Sequence, residues 1–356
     1  MKRPSRIQKT NTTNIKRTLL VDGNALFKLG YTGAKDMYNS YGEHIGGLYQ
    51  FITTLRKLLL SDNYHQVYVF WDGRYSGRQR YLIYEPYKGN RNKDYSLNGT
   101  MPQDEDELLQ KTKISQYLEE LCIRQHSDDT IYGSEGDDLI AYYCNTKEPN
   151  EYITICTSDR DLCQLIKLDI RIYLCDRKYF VTKENYHAFF KHHQSNSKLI
   201  KIITGDTADN IKGIKGVQEK TLLKFFPEIA KEKITLKWLL DQAKSIQSER
   251  EVNKKKPLQS LKNLIDSTTN GVQGNKIYEI NEKIVNLDKP FIDEYNIISI
   301  NNLRNAIGDY DKRGIKNVYA LMKRDGISKV VSSYTTNYLL PFKELIERQL
   351  KHKDIL

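Results

Sequence analysis

At 356 residues, with 39% of them hydrophobic, the chain is long enough for a substantial core and too apolar to be disordered; it reads as two domains or one elaborated domain. No apolar stretch approaches the roughly 20 residues of a membrane span, and the basic N-terminus, MKRPSRIQKTNTTNIKR, lacks the apolar segment of a secretory signal. The formal net charge of +11 leaves two readings, an ordinary basic surface or one that binds a polyanion.

Residues 1–16 read as a basic flexible tail. The first strand is RTLLVDGN (17–24), followed by HIGGLYQFITTLRKLLL, where Ile45, Leu48, Phe51, Ile52, Leu55, Leu58 and Leu59 recur at helical spacing. A second strand, QVYVFWDG (66–73), leads into a segment to about residue 100 that interleaves Arg74, Arg78, Arg80 and Lys93 with Tyr75, Tyr81, Tyr84, Tyr87 and Tyr95. Cations and rings together suit single-stranded nucleic acid; an exposed amphipathic helix and loop is the plain alternative. DEDELLQKTKISQYLEELC (104–122) is a helix with acids in its first turn, and SEGDDLIAYYC starts another with Ser134 as N-cap. EYITICTSD (151–159) and IRIYLC (170–175) are further strands. Strands alternating with helices predict an α/β fold with a mainly parallel twisted sheet flanked by helices. After about residue 200 the strand signals vanish into helical, Lys-rich sequence. The five cysteines form no CxxC pair and sit mostly in apolar runs, as reduced core thiols of a cytosolic protein do.

Ligands of open parallel sheets bind beyond the carboxyl ends of the strands, and three runs end there in acid: Asp22, Asp72 and the pair Asp159/Asp161 of TSDRDL. Glu135, Asp137 and Asp138 cluster at a helix start; Asp206 and Asp209 stand in TGDTADN. Any one cluster is explained by helix capping after Ser134, Ser158 or Thr204. Five clusters, three at strand tips, are not. Two carboxylates about 4 Å apart repel by about 4 kcal/mol at an effective dielectric near 20, so such a pocket takes up protons or cations. All-oxygen donors suit Mg²⁺, with Mn²⁺ as substitute. Zinc does not fit, because no His/Cys cluster has the spacing; His192 and His193 are adjacent and expected to be exposed. A dinucleotide site lacks its GxGxxG, GIKGVQEKT has no Gly directly before the lysine of a phosphate-binding loop, and Asn24 replaces the second Asp of an aspartyl phosphatase. An acidic metal pocket in a basic body suits a phosphodiester nuclease.

The stretches LLVDGN, VFWDG, YKGNR, EGDD, TSDRD and GDTADNIKGIKGVQEK, in that order over roughly residues 18–226, resemble the structure-specific 5′-nucleases: flap endonucleases, the 5′-nuclease domain of bacterial DNA polymerase I, and phage 5′-exonucleases including phage ribonuclease H. DYDKRGIKNVYALMKRDGISKV is similar, more loosely, to the helical tail of phage ribonuclease H. The resemblance implies a nuclease core over 17–205 with an arch region at about 74–122, and a helical region over 206–356 that opens with a helix-hairpin-helix at 206–226. It implies two divalent ions: Asp22, Asp72, Glu135, Asp137 and Asp159 on the first-ion side or its shell, Asp161 and Asp206 with Asp209 nearby on the second, and Asp138 shared or in the outer shell. One ion would activate the attacking water and the other would stabilise the leaving 3′-oxygen.

Lys88 and Arg91 match the basic residues that the family aims at the scissile phosphate, and 90–103 reads as the mobile top of the arch. Arg74, Arg78, Arg80, Tyr87 and Lys93 would contact the strand. Gly213, Lys215, Gly216 and Lys220 would grip duplex phosphates. Gln218 stands where family members often carry a third Gly, which bears on the tightness of the hairpin and on a K⁺ ion there. The function implied is a 5′→3′ exonuclease and flap endonuclease acting on 5′ flaps, nicks or free 5′ ends, with ribonuclease H activity on RNA–DNA hybrids as an extension. The implied setting is a monomer in the cytoplasm (the nucleoid, or the host cytoplasm for a phage protein), alongside a polymerase, clamp and single-strand binding protein. Two rivals remain at this point: a single-strand endoribonuclease of the same fold, and a non-catalytic DNA-binding accessory protein.

Overall fold

β1 (Lys16–Asp22), β2 (Gln66–Trp71), β3 (Arg124–Ser127), β4 (Glu151–Thr157), β5 (Ile170–Leu174) and β6 (Tyr179–Val181) form one sheet in the order β3-β2-β1-β4-β5-β6. All neighbours are parallel except β5 and β6. The computed structural model describes residues 15–90, 104–267, 276–306, 312–328, 331 and 335–353. Strand order reverses between β1 and β4, so the crevice where such sheets bind ligands opens above these two strands. β1 begins at Lys16, one residue inside the segment read as tail, and ends at Asp22; Gly23 already opens α1 (Gly23–Gly33).

The continuous apolar runs are explained by cover on both faces. Leu19, Val21, Val67 and Val69 point to a face packed by α1, α2 (Gly46–Ser61) and α4 (Glu105–Glu120). Leu20, Phe70, Ile155 and Ile172 point to the other, covered by α5 (Gly136–Asn145). Each such side chain, fully buried, contributes roughly 1.5–3 kcal/mol. The five cysteines are buried and free. Asp104, not part of α4 itself, caps it by accepting the amide of Asp106 at 2.9 Å. Among the described residues no helix is long and apolar enough to cross a membrane.

A third core forms around α3 (Arg78–Ile83), α6 (Ser197–Thr204), α7 (Glu219–Phe225), α8 (Leu236–Val252), α9 (Gln259–Ile265) and α10 (Lys276–Val285), where Tyr84 and Tyr87 pack with Ile203, Ile214, Val217 and Leu222. α11 (Glu294–Asn305) lies against α5 and β3. α12 (Ile315–Arg324) and α13 (Thr335–Lys353) return to the first face, where Tyr338 meets Thr53 hydroxyl to hydroxyl at 2.8 Å and accepts from Arg56 through its carbonyl at 2.9 Å.

Four local expectations are corrected. Strand structure does not vanish after residue 200: β7 (Gly205–Asp206) and β8 (Ile211–Lys212) form a two-residue antiparallel ladder. β3 and β6 are strands that the sequence reading does not contain: β3 is polar and half-buried at one sheet edge, and β6, though apolar, is only three residues long at the other. Glu135 rather than Ser134 takes the N-cap position of α5. His192 is buried, hydrogen-bonded to the Tyr186 hydroxyl at 2.9 Å and to Glu219 at 2.7 Å, because the turn after β6 folds under α7.

Candidate metal centre

The acids that end β1, β2 and β4 meet at the crevice. Asp22 caps α1, accepting the Ala25 amide at 3.0 Å through Oδ1 and the Thr157 hydroxyl at 2.8 Å through Oδ2. Asp72 accepts the Gly136 amide at 2.8 Å, which fixes the start of α5 beside β2. Asp159 follows β4, its amide donating to Thr157 Oγ1 at 2.9 Å, and its Oδ1 accepts the Asp161 amide at 2.8 Å. That bond turns the chain into a short 3₁₀ helix (Asp161–Leu165) and holds both acids at the strand tip.

These carboxylates crowd one another. Burial, then the charges of Asp72 and Asp159, push Asp22 up to about 7. Burial and the neighbouring Asp159, Asp22, Glu135 and Asp72 push Asp137 well above the carboxylate range. Asp159 has an exposed edge on the cleft rim but loses water on its inner side; this raises it, with Asp206 and Glu135 adding to the rise and Lys201 and Lys88 opposing it. Anions held this far from their ordinary behaviour call for a cation.

Two lysines already supply positive charge. Lys88 contacts Glu135 Oε1, and Tyr87 donates its hydroxyl to Glu135 Oε2 at 2.8 Å. Burial alone would raise Glu135, but Lys88 and Arg80 outweigh it and hold the group at about 2. Lys88 sits at φ +50°, its amide donating to the Asp209 carbonyl at 2.8 Å. Asn210 donates to the Pro86 carbonyl at 2.7 Å, so the chain around Lys88 is fastened to the 206–210 turn. Lys201, from α6, bridges Asp161 and Asp206, lying 2.7 Å from the latter. Among the described residues no three His, Cys, Asp or Glu side chains are gathered as a ready-made metal cage; between Asp161 and Asp206 stands Lys201. The donor set remains all-oxygen and strongly anionic, which fits a hard divalent ion that keeps several waters.

Two site residues assigned from sequence, Arg80 and Tyr87, are corrected, and of the two places open to Asp138 the outer one is found. Asp138 turns away from the crevice and is fully buried against Arg80, with its Oδ2 capping the Glu135 amide at 3.1 Å, so it supports the site from behind. Arg80 is 5% exposed and spent on that pair, out of reach of a nucleic-acid strand. Tyr87 is 2% exposed, so its ring is core and cannot stack a base. Arg74 is exposed and Arg78 half-buried; Lys215, Gly216 and Lys220 are exposed together on the hairpin side, with Lys212 beside them. Gly216 takes φ +74° in open space, whereas Gly213 is glycine because a Cβ there would lie 2.0 Å from the Thr204 carbonyl oxygen. Arg91, Lys93, Tyr95 and the rest of 91–103 lie outside the described residues. Lys201 and Thr157 escape sequence reasoning. Only their positions, five residues before Asp206 and two before Asp159, hint at them.

Comparison with known proteins bears on the family and the fold. The 5′-3′ exonuclease, N-terminal resolvase-like domain family matches residues 17–199, about half of the chain. A 5′-3′ exonuclease of Halalkalibacterium halodurans is 31% identical over 216 residues, covering 58% of this chain and 67% of that protein. A thermostable DNA polymerase I of Thermus thermophilus is 30% identical over 213 residues, 60% of this chain but only 24% of the polymerase, so the chain spans about a quarter of that relative. In fold, the chain is similar to T5 5′-exonuclease solved with zinc bound, with a TM-score of 0.57 at 16% identity, covering 87% of this chain and 98% of that one. A bacteriophage T5 flap endonuclease solved with DNA and metal ions gives a TM-score of 0.52 at 18% identity, covering 86% and 100%.

Proposed function

The chain belongs to the 5′-3′ exonuclease family, and from that membership we propose that it is a divalent-metal-dependent nuclease that hydrolyses phosphodiester bonds near the 5′ ends of branched or nicked DNA. The observation that carries the proposal is the meeting of Asp22, Asp72, Asp137 and Asp159 at the β1/β4 crevice, where burial and neighbouring carboxylates push Asp22, Asp137 and Asp159 above their ordinary ionisation. Without a cation such a set relieves its crowding by taking up protons, and a divalent ion bound there would relieve it instead. Asp22, Asp72, Asp137 and Asp159 would hold one Mg²⁺, with Glu135 behind them; Asp161 and Asp206, with Asp209 adjoining, would hold a second. Bound there, the ions would supply Lewis-acid stabilisation of the phosphoryl group and activation of water.

The protein's own groups do the rest. Lys88, fastened by its backbone to Asp209 and by its ammonium to Glu135, is a fixed positive charge at the edge of the carboxylates, where a scissile phosphate would gain charge. Thr157 and the Ala25 amide keep the Asp22 oxygens oriented. Lys212, Lys215 and Lys220 flank the Gly216 turn, which suits duplex phosphates approached by backbone amides. We read 206–226 as the duplex grip, in the manner of a helix-hairpin-helix; the arch expected over about 74–122 falls partly outside the described residues.

A 5′-labelled flap duplex tests the proposal. Release of short 5′-labelled products with Mg²⁺ or Mn²⁺, and none in excess chelator, is the expected outcome. An inert protein that binds the flap would favour the accessory-protein alternative, and cleavage confined to single-stranded RNA the endoribonuclease.

A further inference from the structure

The two halves of the crevice are charged differently. Asp22, Asp72, Asp137 and Asp159 have no ion-pair partner among the described residues; Lys88, paired with Glu135, acts on Asp72 and Asp159 without forming an ion pair with either. Asp161 and Asp206 come from different segments, the 3₁₀ turn after β4 and the β7 strand, yet share one ammonium. Lys201 Nζ touches Asp161 Oδ2 and lies 2.7 Å from Asp206 Oδ2. The Lys201 side chain is 14% exposed, and its backbone is anchored by Ile200, Ile202 and Ile203 in the third core. The α6 helix thus delivers a cation to the place where the second divalent ion would bind.

We propose that Lys201 is a resident counter-cation of the Asp161–Asp206 half, which an incoming divalent ion must displace, so that the two halves fill in a fixed order. The inference rests on the metal-dependent reading of the crevice. A flexible four-carbon stem ending in a strongly hydrated ammonium suits a charge that must leave; a guanidinium, which grips two carboxylates with a rigid fork, would not. The bare half binds its ion first. The Lys201 half binds only the fraction of molecules in which the lysine has swung out, and its apparent affinity is lowered by that fraction. The chain therefore sets a threshold in divalent-ion concentration for complete loading. A lysine that merely pinned the α6–β7 turn would stabilise the fold without setting ion affinity, and metal binding separates the two roles.

The test is Mn²⁺ binding to the DNA-free full chain at pH 8, read from the electron paramagnetic resonance of free Mn²⁺, for wild type, Lys201→Met, Lys201→Gln and Lys201→Arg. Wild type should show a tight and a weak class. In Met and Gln variants that melt cooperatively, the weak class should tighten at least about tenfold, the change expected if about nine-tenths or more of wild-type molecules hold the lysine in. The tight class, on which Lys201 acts through Asp159 without forming an ion pair, should move less. The Arg variant should keep the weak class weak. An unchanged or weakened second class in folded Met and Gln variants would overturn the proposal. Should neither variant fold, Mg²⁺ titration of the wild-type chain decides by side-chain NMR: the Lys201 resonance should move with the second ion, and movement with the first, or none, overturns it. A wild-type chain that binds no Mn²⁺ would instead overturn the metal reading itself, and displacement with it.

Discussion

Arg80 and Asp138 meet through both prongs of the guanidinium, at 2.5 and 2.8 Å, with 5% and 0% of the two residues exposed. Arg80 also lies 3.1 Å from Glu135 Oε2, donates to the Ile284 carbonyl at 2.9 Å, and stands over the Phe291 ring. The Phe291 amide in turn donates to Asp138 Oδ1 at 3.0 Å. One buried pair thus ties α3, which leads to Lys88, to the first turn of α5 and to the end of α10.

Loss of one partner strands the other charge in the core. Arg80→Met should therefore destabilise the fold by about 3–5 kcal/mol, read as a lower urea midpoint with unchanged slope. A guanidinium that served the nucleic acid would leave the midpoint alone and weaken binding instead. That pattern would contradict the assignment.

Stability in chelator should depend on pH with a definite sign. Asp22 titrates at about 7 in the fold against an ordinary 3.8, so between these values the folded chain holds a proton that the unfolded chain has released. Stability must then fall as pH rises through that window. Asp137 and Asp159, also raised, act in the same direction. Glu135, lowered to about 2 from 4.5, contributes stability that is already complete above its ordinary value. Thermal melts in EDTA should show Tm falling from pH 5 to pH 8, and Mg²⁺ should reverse the fall at the upper end. A Tm that rises over this range in EDTA would contradict the crowded-carboxylate reading.

Lys88→Ala should slow single-turnover cleavage at least tenfold, about 1.4 kcal/mol of barrier, with little change in DNA affinity. A change confined to the dissociation constant would make Lys88 a general phosphate contact.

The two hairpin glycines should part company. Gly213→Ala forces a Cβ against the Thr204 carbonyl and should unfold the turn, seen as a large drop in Tm. Gly216→Ala meets no neighbour and should cost only the roughly 1–2 kcal/mol of a left-handed side chain. Gly216→Val should weaken duplex binding several-fold and flatten the log K against log salt slope by roughly 0.9 for one lost phosphate contact. An unchanged slope in the folded Val variant would make the loop a turn and nothing more.

What is legible in the sequence follows from range and polarity. LLVD, VFWD and ICTSD announce strands that end in acid, and the crevice at their tips follows from parallel-sheet topology alone. β3 is not legible, because an edge strand of Arg124, Gln125, His126 and Ser127 has no apolar face to show. Arg80 looks like its neighbours Arg74 and Arg78, since a cation in a basic, aromatic run reads alike whether it faces phosphate or Asp138. Its partner is 58 residues away, and only the packed core brings the two together. Tyr87 misleads for the same reason, its hydroxyl being bound to Glu135 across 48 residues. Lys201 is hidden among many lysines, and only the turn of the chain from α6 into β7 aims it at Asp161 and Asp206.

Whether the strand-tip carboxylates do metal-dependent chemistry on DNA is the central question. The most direct measurement is single-turnover cleavage of a 5′-labelled flap duplex at saturating protein, comparing wild type with Asp161→Asn, each with Mg²⁺ and with excess chelator. Wild type should cleave only with Mg²⁺, and Asp161→Asn should bind the flap with near wild-type affinity while leaving it uncut. Cleavage by wild type in chelator, or a wild-type rate from Asp161→Asn, would contradict a metal-dependent role for these carboxylates.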